Sequence, residues 1–318
     1  MQTVLIAGGA GFIGSHLTKS LLSKNYKVIC IDNFLTSDRK NIEEFLENAN
    51  YKFIELDVTK SIESKELSDI NFIFHLASPA SPNKKSPRSF INFPIETLMA
   101  NSIGTKNLLD LAKEKNAKFL YASSSEVYGD PLISPQKEEH FGNVNPNGVR
   151  SVYDEGKRFG EAITMAYFRK YKLDVRIIRI FNTYGPFMQV DDGRVVSNFI
   201  NQAIRNEKIT IYGDGTQTRS FCYIDDMVKG LELSMFSDNT NGQVFNLGKP
   251  LEKTVEELAK IIISLTNSKS EIVFEGLPED DPKKRNPDIE KAGKVFGFKP
   301  QVSMEDGLSK TIEYFKSL

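Results

Sequence analysis

Cysteine and histidine are scarce in this chain, which contains two cysteines and three histidines among 318 residues. Cys30 and Cys222 are too few to build a disulfide framework. His16, His75 and His140 are scattered along the sequence and form no ligand cluster with the cysteines. We therefore predict a protein without a metal centre and without a structural disulfide network.

Long apolar runs and a strong charge of either sign are also missing. No segment approaches the roughly 18 to 20 apolar residues that a membrane-spanning helix requires. The 41 basic and 42 acidic side chains leave a net charge of −1, which gives no electrostatic reason to expect nucleic acid or an anionic membrane as a partner. A strand pattern begins already at Thr3, so we expect no secretory leader and a cytoplasmic location.

The chain is long enough for a large apolar core. Its composition, 40% hydrophobic and 26% charged, is typical of a soluble globular protein. At this length two intertwined lobes are favoured over one compact unit. The start of the chain and its later part indeed show different patterns.

The first 32 residues have the pattern of a βαβ unit. A short apolar strand, Thr3 to Ala7, runs directly into a glycine-rich turn, which is followed by a helix from His16 to Asn25 and a second strand from Lys27 to Asp32. Small residues at such a turn let backbone N–H groups at a helix N-terminus approach a pyrophosphate. A carboxylate that ends the second strand can accept hydrogen bonds from an adenosine ribose, which favours NAD over NADP.

Strands and helices continue to alternate up to residue 180, with a proline-containing loop from Pro79 to Phe93. The predicted strands are Tyr51 to Leu56, Asn71 to Leu76, Lys118 to Ala122 and Asp174 to Ile180, and the predicted helices are Ile95 to Lys115 and Ser151 to Tyr171. This alternation predicts an α/β fold with a doubly wound parallel, Rossmann-type sheet. We expect residues 1–180, with a returning segment at about 221–248, to form a dinucleotide-binding domain.

The later part of the chain is less regular and predicts a smaller, irregular C-terminal lobe, made of residues 181–220 and 249–318. A strand from Val244 to Leu247 is expected to return to the main sheet. A capping box at Thr254 and Glu257 opens one helix, and Ser303 opens the last. The other predicted elements are helices Val195 to Asn206 and Asp225 to Ser237, strands Lys208 to Tyr212, Arg219 to Tyr223 and Glu271 to Phe274, and a loop from Pro278 to Pro287.

Tyr153 and Lys157 lie four residues apart in a predicted helix, so their side chains occupy the same face. An ammonium group beside a phenol favours the phenolate and lowers a pKa that is ordinarily about 10. Such a tyrosine can take the proton of an alcohol while hydride leaves the same carbon. The pair alone is a short pattern, and a solvated helix face with an incidental tyrosine would show it too.

The glycine spacing G-x-x-G-x-x-G together with Tyr-x-x-x-Lys resembles the extended short-chain dehydrogenase/reductase family. The resemblance implies NAD as cofactor and Tyr153 with Lys157 as the catalytic pair. It also implies a set of cofactor contacts: Gly8, Gly11, Phe12, Ile13, Gly14, Asp32, Asn33, Asp57, Val58, Leu76, Ala77, Ser78, Asn101, Ser123, Tyr153, Lys157 and Tyr184.

Six further blocks are similar to the UDP-glucuronate decarboxylases within that family. They are Ser123 to Pro131, Tyr153 to Arg158, Arg179 to Pro186, Asp191 to Ile200, Tyr212 to Asp226 and Leu277 to Pro287. The resemblance implies that Tyr153 takes the proton of the sugar's 4-hydroxyl while hydride passes to NAD. The 4-keto intermediate then loses carbon dioxide, and return of the hydride gives UDP-xylose.

The same resemblance assigns roles around this reaction. Ser124 would hydrogen-bond the reacting hydroxyl, and Arg219 and Glu126 with Ser125 would supply positive charge and a proton to the carbanion. Arg219 has a second interpretation as a diphosphate ligand, because a guanidinium group suits phosphate and carboxylate alike. The implied substrate contacts are Asn182, Val196, Tyr212, Gln217, Arg219 and Arg285.

Two positions depart from the decarboxylase pattern. The loop from Asn83 to Phe93 is longer than expected, and Met99 stands where a lysine would reach the substrate. Lys84, Lys85 or Arg88 of the longer loop are candidate replacements for that cation.

Three alternatives are weighed against decarboxylation. A 4,6-dehydratase usually has an acid where this chain has Ser125, and a 4-epimerase needs no carboxylate at Glu126, although epimerases of uronic acids blur that distinction. An NAD-binding regulator without turnover would not need Ser124, Tyr153 and Lys157 together. By resemblance, the helices at about Ile95 to Lys115 and Ser151 to Tyr171 should pair with their mates in a homodimer through a four-helix bundle.

Overall fold

A seven-stranded parallel sheet forms the centre of the protein. A computed structural model describes residues 1–63, 67, 69–276 and 284–318, so most of the loop predicted from Pro278 to Pro287 lies outside the described residues. In chain order the strands are β1 (Thr3–Ala7), β2 (Lys27–Asp32), β3 (Tyr51–Glu55), β4 (Ile70–His75), β5 (Lys118–Ser124), β6 (Val175–Ile180), β7 (Thr183–Tyr184), β8 (Ile209–Tyr212), β9 (Thr218–Ser220), β10 (Cys222–Tyr223), β11 (Gln243–Leu247), β12 (Glu252–Thr254), β13 (Ile272–Glu275) and β14 (Lys284–Arg285).

The strand order of the main sheet is β3–β2–β1–β4–β5–β6–β11. The chain moves outward from β1 in one direction through β2 and β3, and then in the other direction from β4. This reversal is the switch point of a doubly wound sheet, where ligands bind at the carboxyl ends of the strands. The predicted fold class is thus confirmed, and β11 joins the sheet beside β6, as predicted for the returning strand.

Helices cover both faces of this sheet. They are α1 (Phe12–Ser23), α2 (Pro94–Met99), α3 (Thr105–Lys115), α4 (Ser151–Tyr171), α5 (Val195–Ile204), α6 (Ile224–Phe236), α7 (Val255–Thr266), α8 (Glu290–Phe296) and α9 (Met304–Lys316). Within the described ranges, no helix combines the length and apolarity needed to cross a membrane.

The core is divided by the sheet because successive strand residues point to opposite faces. In β1, Val4 and Ile6 pack in the cluster that contains the helices α1 and α6. Leu5 and Ala7 pack in the other cluster, with residues of α3 and α4. All four side chains are fully buried, which explains why β1 is apolar throughout rather than alternating.

Three element boundaries differ from the sequence prediction in ways that affect the site. The first helix begins at Phe12, four residues before the predicted start, so Gly11 is its N-cap. The helix predicted from Ile95 to Lys115 contains a π-helical turn, Ala100–Gly104, between α2 and α3. Strand β5 continues to Ser124, two residues beyond its predicted end, so Ser123 and Ser124 lie at the carboxyl end of a central strand.

Among the described residues, the second part of the chain forms three small sheets beside the main one, of which the smallest pairs β7 with β10. Strand β9 lies between β12 and β14, and β8 pairs with β13. In the parallel pairing of β9 with β14, Arg219 is the register partner of Arg285. These two arginines, which are 66 positions apart in sequence by their residue numbers, therefore enter the site side by side. The division into lobes at residues 180, 221 and 248 remains a prediction.

Candidate active site

Two adjoining cavities open at the carboxyl ends of the central strands. The larger has a volume of about 970 Å³ and the smaller of about 320 Å³. Both are lined by Gly8, Gly11, Leu76 and Ser78, so they form two parts of one groove. Its position is the one that the switch point of a doubly wound sheet predicts.

The glycine turn between β1 and α1 forms the floor where the cavities meet. Gly8 has a φ of +82°, and a Cβ atom there would lie 2.7 Å from the backbone nitrogen of Ala77. A Cβ atom at Gly14 would overlap the carbonyl oxygen of Gly8. Only glycine fits these two positions, and the close approach leaves the N-terminus of α1 open to an anionic group. The cradle fits the pyrophosphate of a dinucleotide.

Asp32 ends β2 in the smaller cavity, which Asn33, Asp57 and Val58 also line. One of its carboxylate oxygens accepts hydrogen bonds from the backbone N–H of Phe34 (2.9 Å) and the hydroxyl of Ser37 (2.7 Å). Its other oxygen accepts from the N–H of Ala10 (3.1 Å). Burial raises the pKa of Asp32, and these hydrogen bonds oppose that rise. The carboxylate therefore holds the loop after β2 in place and also lines the cavity.

Tyr153 and Lys157 both line the larger cavity, as their helical spacing predicted. The expected lowering of the Tyr153 pKa is wrong for this arrangement. Burial raises the pKa of the phenol to about 12, and a hydrogen bond with Ser124 only partly opposes the rise. The sequence shows the spacing of the pair but not the depth at which the helix is buried, and burial dominates here.

Lys157 is held in place by a backbone carbonyl of β5. Its ammonium group donates to the carbonyl of Ala122 at 2.8 Å and lies 5.5 Å from the centre of the Tyr153 ring. Burial lowers the pKa of Lys157 to about 7, while Glu161 raises it. The lysine is thus fixed against β5 and its charge is sensitive to the surroundings near neutral pH.

Glu126 follows β5 and is shared by two arginines. Its Oε2 accepts from Nη2 of Arg150 at 2.6 Å and from Nη2 of Arg285 at 3.1 Å. These two guanidinium groups lower the pKa of Glu126 to well below its usual range, in spite of its burial. The structure therefore does not support Glu126 as a proton donor, because the carboxyl group is held ionised.

Asp154 lies next to this cluster, but its pKa is shifted in the opposite direction to that of Glu126. Burial raises the pKa of Asp154, and the neighbouring charge of Glu126 raises it further. Its Oδ1 is buried and has no hydrogen-bond partner among the described residues. The two carboxyl groups are thus shifted in opposite directions, with the pKa of Glu126 lowered and that of Asp154 raised.

Almost all predicted site residues reach the groove. Those that line the larger cavity are Gly8, Gly11, Phe12, Ile13, Gly14, Leu76, Ser78, Ser123, Ser124, Ser125, Glu126, Tyr153, Lys157, Asn182, Val196, Tyr212, Gln217, Arg219 and Arg285. Those that line the smaller cavity are Gly8, Gly11, Asp32, Asn33, Asp57, Val58, Leu76, Ala77 and Ser78. Their individual roles stay predictions.

Two predicted cofactor residues do not line either cavity. Asn101 is fully buried in the π-helical turn, where it donates to the hydroxyl of Ser78 (2.8 Å) and accepts from that of Tyr121 (3.0 Å). It supports a cavity residue from behind. Tyr184 is buried in the core, where its hydroxyl donates to the carbonyl of Met304 (3.3 Å) and its ring packs edge-on against Tyr223.

Met99 and the cations proposed to replace a lysine there line different cavities. Met99 lines the smaller cavity with Asp57 and Val58, away from Tyr153. Arg88 faces the larger cavity but is bound to the carboxylate of Asp191 at 2.8 Å. Lys84 and Lys85 also line the larger cavity, so the replacement of a lysine at position 99 by a cation of this loop remains a prediction.

Sequence reasoning missed Arg150 and Phe90. Arg150 stands three residues before Tyr153, and this helical spacing was the available signal. Phe90 stacks on the ring of Tyr153, with centroids 4.9 Å apart and planes 11° apart, but it lies in a loop where no periodicity points to the contact.

No group of three or more His, Cys, Asp or Glu side chains in the described part of the chain is arranged to hold a metal ion.

Comparison with known proteins gives three consistent similarities. A family model described as the NAD dependent epimerase/dehydratase family matches residues 4–248. UDP-glucuronic acid decarboxylase 1 of Xenopus tropicalis is 47% identical over 315 residues, which cover 99% of this chain and 72% of that protein. UDP-glucuronic acid decarboxylase 2 of Arabidopsis thaliana is 48% identical over 313 residues, which cover 98% of this chain and 68% of that protein.

A solved structure extends the comparison to bound ligands. The UDP-glucuronic acid 4-epimerase of Bacillus cereus, in complex with UDP-glucuronic acid and NAD, matches this fold with a TM-score of 0.89. It is 30% identical to this chain, and the match covers 99% of each.

Proposed function

The chain belongs to the NAD dependent epimerase/dehydratase family, and on that basis we propose that it is an NAD-dependent decarboxylase that converts UDP-glucuronate to UDP-xylose. Its identity to curated UDP-glucuronic acid decarboxylases is 47–48% over nearly its whole length. The cofactor and the reaction class follow from these relatives.

The observation that carries the proposal is the position of the arginines. Arg150, Arg219 and Arg285 line the same cavity as Tyr153. A guanidinium group binds carboxylate and phosphate through directed, charge-assisted hydrogen bonds. A cation-rich cavity beside a tyrosine that can accept a proton suits a sugar nucleotide that has both a diphosphate and a carboxylate.

The first step requires Tyr153 to accept the proton of the sugar's 4-hydroxyl. Bound NAD would supply a hydride acceptor for carbon 4 and a positively charged ring. The glycine cradle and Asp32 would hold it. Because the pKa of Tyr153 is about 12, the phenol needs added positive charge or hydrogen bonding to act near neutral pH. Ser124 already provides one such hydrogen bond.

The second step breaks the bond between carbon 5 and the carboxylate. In the 4-keto sugar this carboxylate is β to a carbonyl group, so carbon dioxide leaves while its electron pair forms an enolate. Cations fixed before the reaction stabilise such developing charge. Arg150, Arg219 and Arg285 are among the cations that line this cavity, and ionised Glu126 binds two of them. A proton is then added to carbon 5.

Epimerisation of a uronic acid is the second candidate, because the matched Bacillus cereus structure holds UDP-glucuronic acid and NAD. The identity to that epimerase is 30%, against 47–48% to the two decarboxylases. The same substrate therefore serves both hypotheses, and the product distinguishes them.

The first prediction is that purified protein incubated with NAD and UDP-glucuronate releases one carbon dioxide per UDP-xylose formed. No net NADH should accumulate, because the hydride is returned. Product mass and proton NMR identify the UDP-xylose and the configuration at its carbon 4, and the absorbance of the solution follows NADH. An unchanged product mass with inverted carbon 4 would identify an epimerase, and loss of water would identify a dehydratase.

Tyr153→Phe is the matched control for this experiment. Removing the hydroxyl should lower turnover by about 100- to 10,000-fold, the usual contribution of general acid–base catalysis. NAD should still bind, because the cradle around Gly8 is untouched. Turnover retained in this variant would remove Tyr153 from the proposed first step.

We also propose a homodimer through a four-helix bundle. Helices α2 and α4 pack against each other, and exposed apolar side chains lie on α2, on the π-helical turn after it and on α4, namely Ile95, Ile103 and Phe159. Burial of such side chains favours association. Light scattering should give twice the mass of one chain, and Phe159→Glu should shift the protein towards the monomer.

The cytoplasmic location likewise remains a proposal. Cys30 and Cys222 are both buried and unpaired, which suits a reducing compartment. Cell fractionation with an antibody against the protein would test it.

A further inference from the structure

The loop from Ser81 to Asn92, which we call the strap, lines the larger cavity. It closes on itself through a hydrogen bond from the N–H of Phe90 to the carbonyl of Ser81 (3.0 Å). The side chain of Asn92 donates to the carbonyls of Ser86 (2.8 Å) and Lys84 (3.1 Å). A loop that satisfies its own backbone groups in this way has a defined shape.

The strap is attached to the segment that leads into α5. The hydroxyl of Ser86 donates to the carbonyl of Asp191 at 2.5 Å, and the amide of Asn83 donates to that of Gly193 at 3.2 Å. Gly193 has a φ of +85°, and a Cβ atom there would come within 2.8 Å of Asn83 Cβ. The two segments are therefore in close contact.

Arg88 attaches the strap to the cofactor side as well. Its Nε donates to the carboxylate of Asp191 at 2.8 Å, and its Nη1 donates to the carbonyls of Thr36 (2.9 Å) and Ser37 (3.2 Å) in the loop after β2. Ser37 in turn donates to Asp32. One guanidinium group thus connects the strap to both sides of the groove.

Phe90 is the only aromatic residue of the strap, and it is 1% exposed. Its ring stacks on Tyr153, with centroids 4.9 Å apart and an interplanar angle of 11°. The guanidinium carbon of Arg150 lies 5.8 Å from the Phe90 ring centre. Phe90 belongs to none of the four apolar clusters of the described core. Its buried surface is therefore used at the site and not in the core.

We propose that Phe90 is a positioning residue for Tyr153, held by the strap so that its ring fixes the plane of the catalytic phenol. The inference rests on the proposed function of Tyr153 as the proton acceptor. A stacked ring restricts rotation of the phenol about its side-chain bonds and keeps water from one of its faces. The hydroxyl is then held towards Ser124 in the geometry that proton transfer needs.

A pair of variants separates stacking from simple filling of space. Phe90→Leu keeps an apolar side chain but removes the flat ring, whereas Phe90→Tyr retains the ring. We expect kcat to fall about 10- to 100-fold in Phe90→Leu, with KM changed by less than about 3-fold, because orientation rather than binding is lost. Phe90→Tyr should stay within about 3-fold of the wild type.

The pH profile of kcat gives a readout that loss of stability alone would not change. Burial raises the pKa of Tyr153, and removing the stacked ring admits water to the phenol. The pKa that limits kcat on the acid side should therefore move to lower pH in Phe90→Leu and remain in place in Phe90→Tyr.

A second measurement needs no substrate and so separates this inference from the proposed function. In protein labelled with ¹³C at the tyrosine rings, the signal of Tyr153 is the one missing from Tyr153→Phe. Its ring-current shift should disappear in Phe90→Leu and persist in Phe90→Tyr. Arg88→Ala, which releases the strap and leaves Phe90 intact, should also reduce it.

An unchanged Tyr153 signal in Phe90→Leu would overturn the inference, and so would equal kcat losses in the leucine and tyrosine variants. If Phe90→Leu does not fold, Arg88→Ala decides alone: an unchanged Tyr153 signal and kcat in that variant would refute the role of the strap. Absence of decarboxylation in the wild type would refute the proposed function but leave the NMR result interpretable.

Discussion

Two buried clusters of glutamate and arginine near the end of β5 use the same residue types in different ways. In the first cluster, Arg179 of β6 donates to both carboxylate oxygens of Glu161, from Nε at 2.9 Å and from Nη2 at 2.8 Å. Ser123 adds a hydrogen bond to Glu161 at 2.6 Å. The remaining Nη1 of Arg179 donates to the hydroxyl of Tyr128 and the carbonyl of Glu138.

At the cavity, Arg150 and Arg285 meet the same oxygen of Glu126. The first cluster is a bidentate fork with its partners inside the protein, and the second is one carboxylate shared by two cations that face a ligand cavity. A fork of this kind suits a structural role, because it satisfies both partners. A shared carboxylate leaves the arginines positioned for an anionic ligand.

The largest effect should come from breaking the fork. Arg179→Met would leave Glu161 charged and buried, which ordinarily costs about 3 to 5 kcal/mol of the free energy of unfolding. Urea unfolding measures this loss. The double variant Arg179→Met/Glu161→Leu should recover much of it, because removal of both charges leaves no buried ion. A loss below about 1 kcal/mol in the single variant would show that the fork is not structural.

The cavity cluster should respond in activity more than in stability. Arg150→Met leaves Glu126 paired with Arg285, so we expect a smaller loss of unfolding free energy than in Arg179→Met. The kcat/KM for UDP-glucuronate should fall about 100-fold, which corresponds to about 2.7 kcal/mol. Steady-state kinetics and urea unfolding of the two variants test the contrast. Equal stability losses with unchanged kcat/KM would remove the distinction between the clusters.

The sequence was sufficient to predict the parts of the site that follow from local rules. The glycine turn, the strand ending at Asp32 and the spacing of Tyr153 and Lys157 all follow from short-range geometry. The pairing of Arg150 with Glu126 could not be predicted in the same way, because it joins two segments 24 residues apart whose relative placement depends on the tertiary fold.

The direction of the Tyr153 pKa could not be predicted for a related reason. The pattern showed a neighbouring cation but not that both side chains are buried and that Lys157 turns towards the carbonyl of Ala122. The contacts of the strap could not be predicted either, because the sequence around Phe90 shows no periodicity that indicates packing against α4. Local patterns predict which element a residue belongs to, whereas burial and long-range contacts require the assembled fold.

The smallest expected effect concerns Asp154, which lies beside the cavity cluster. Burial and the charge of Glu126 raise its pKa. Above the ordinary carboxyl pKa of about 3.9, the unfolded chain therefore releases a proton that the folded chain retains. Unfolding then releases a proton, so this group lowers the free energy of unfolding as pH rises, by at most about 1.4 kcal/mol per pH unit.

Asp154→Asn removes this titration but keeps the size and shape of the side chain. Relative to the wild type, the variant should therefore gain about 1 kcal/mol or more in the free energy of unfolding between pH 5 and pH 8. Urea unfolding at the two pH values gives this difference, and other titrating groups cancel in the comparison. The result depends on Glu126 remaining charged, so the gain should shrink in the Glu126→Gln background. A difference that is independent of pH would mean that Asp154 is ionised in the folded protein, and that both carboxylates of the cavity cluster share its arginines.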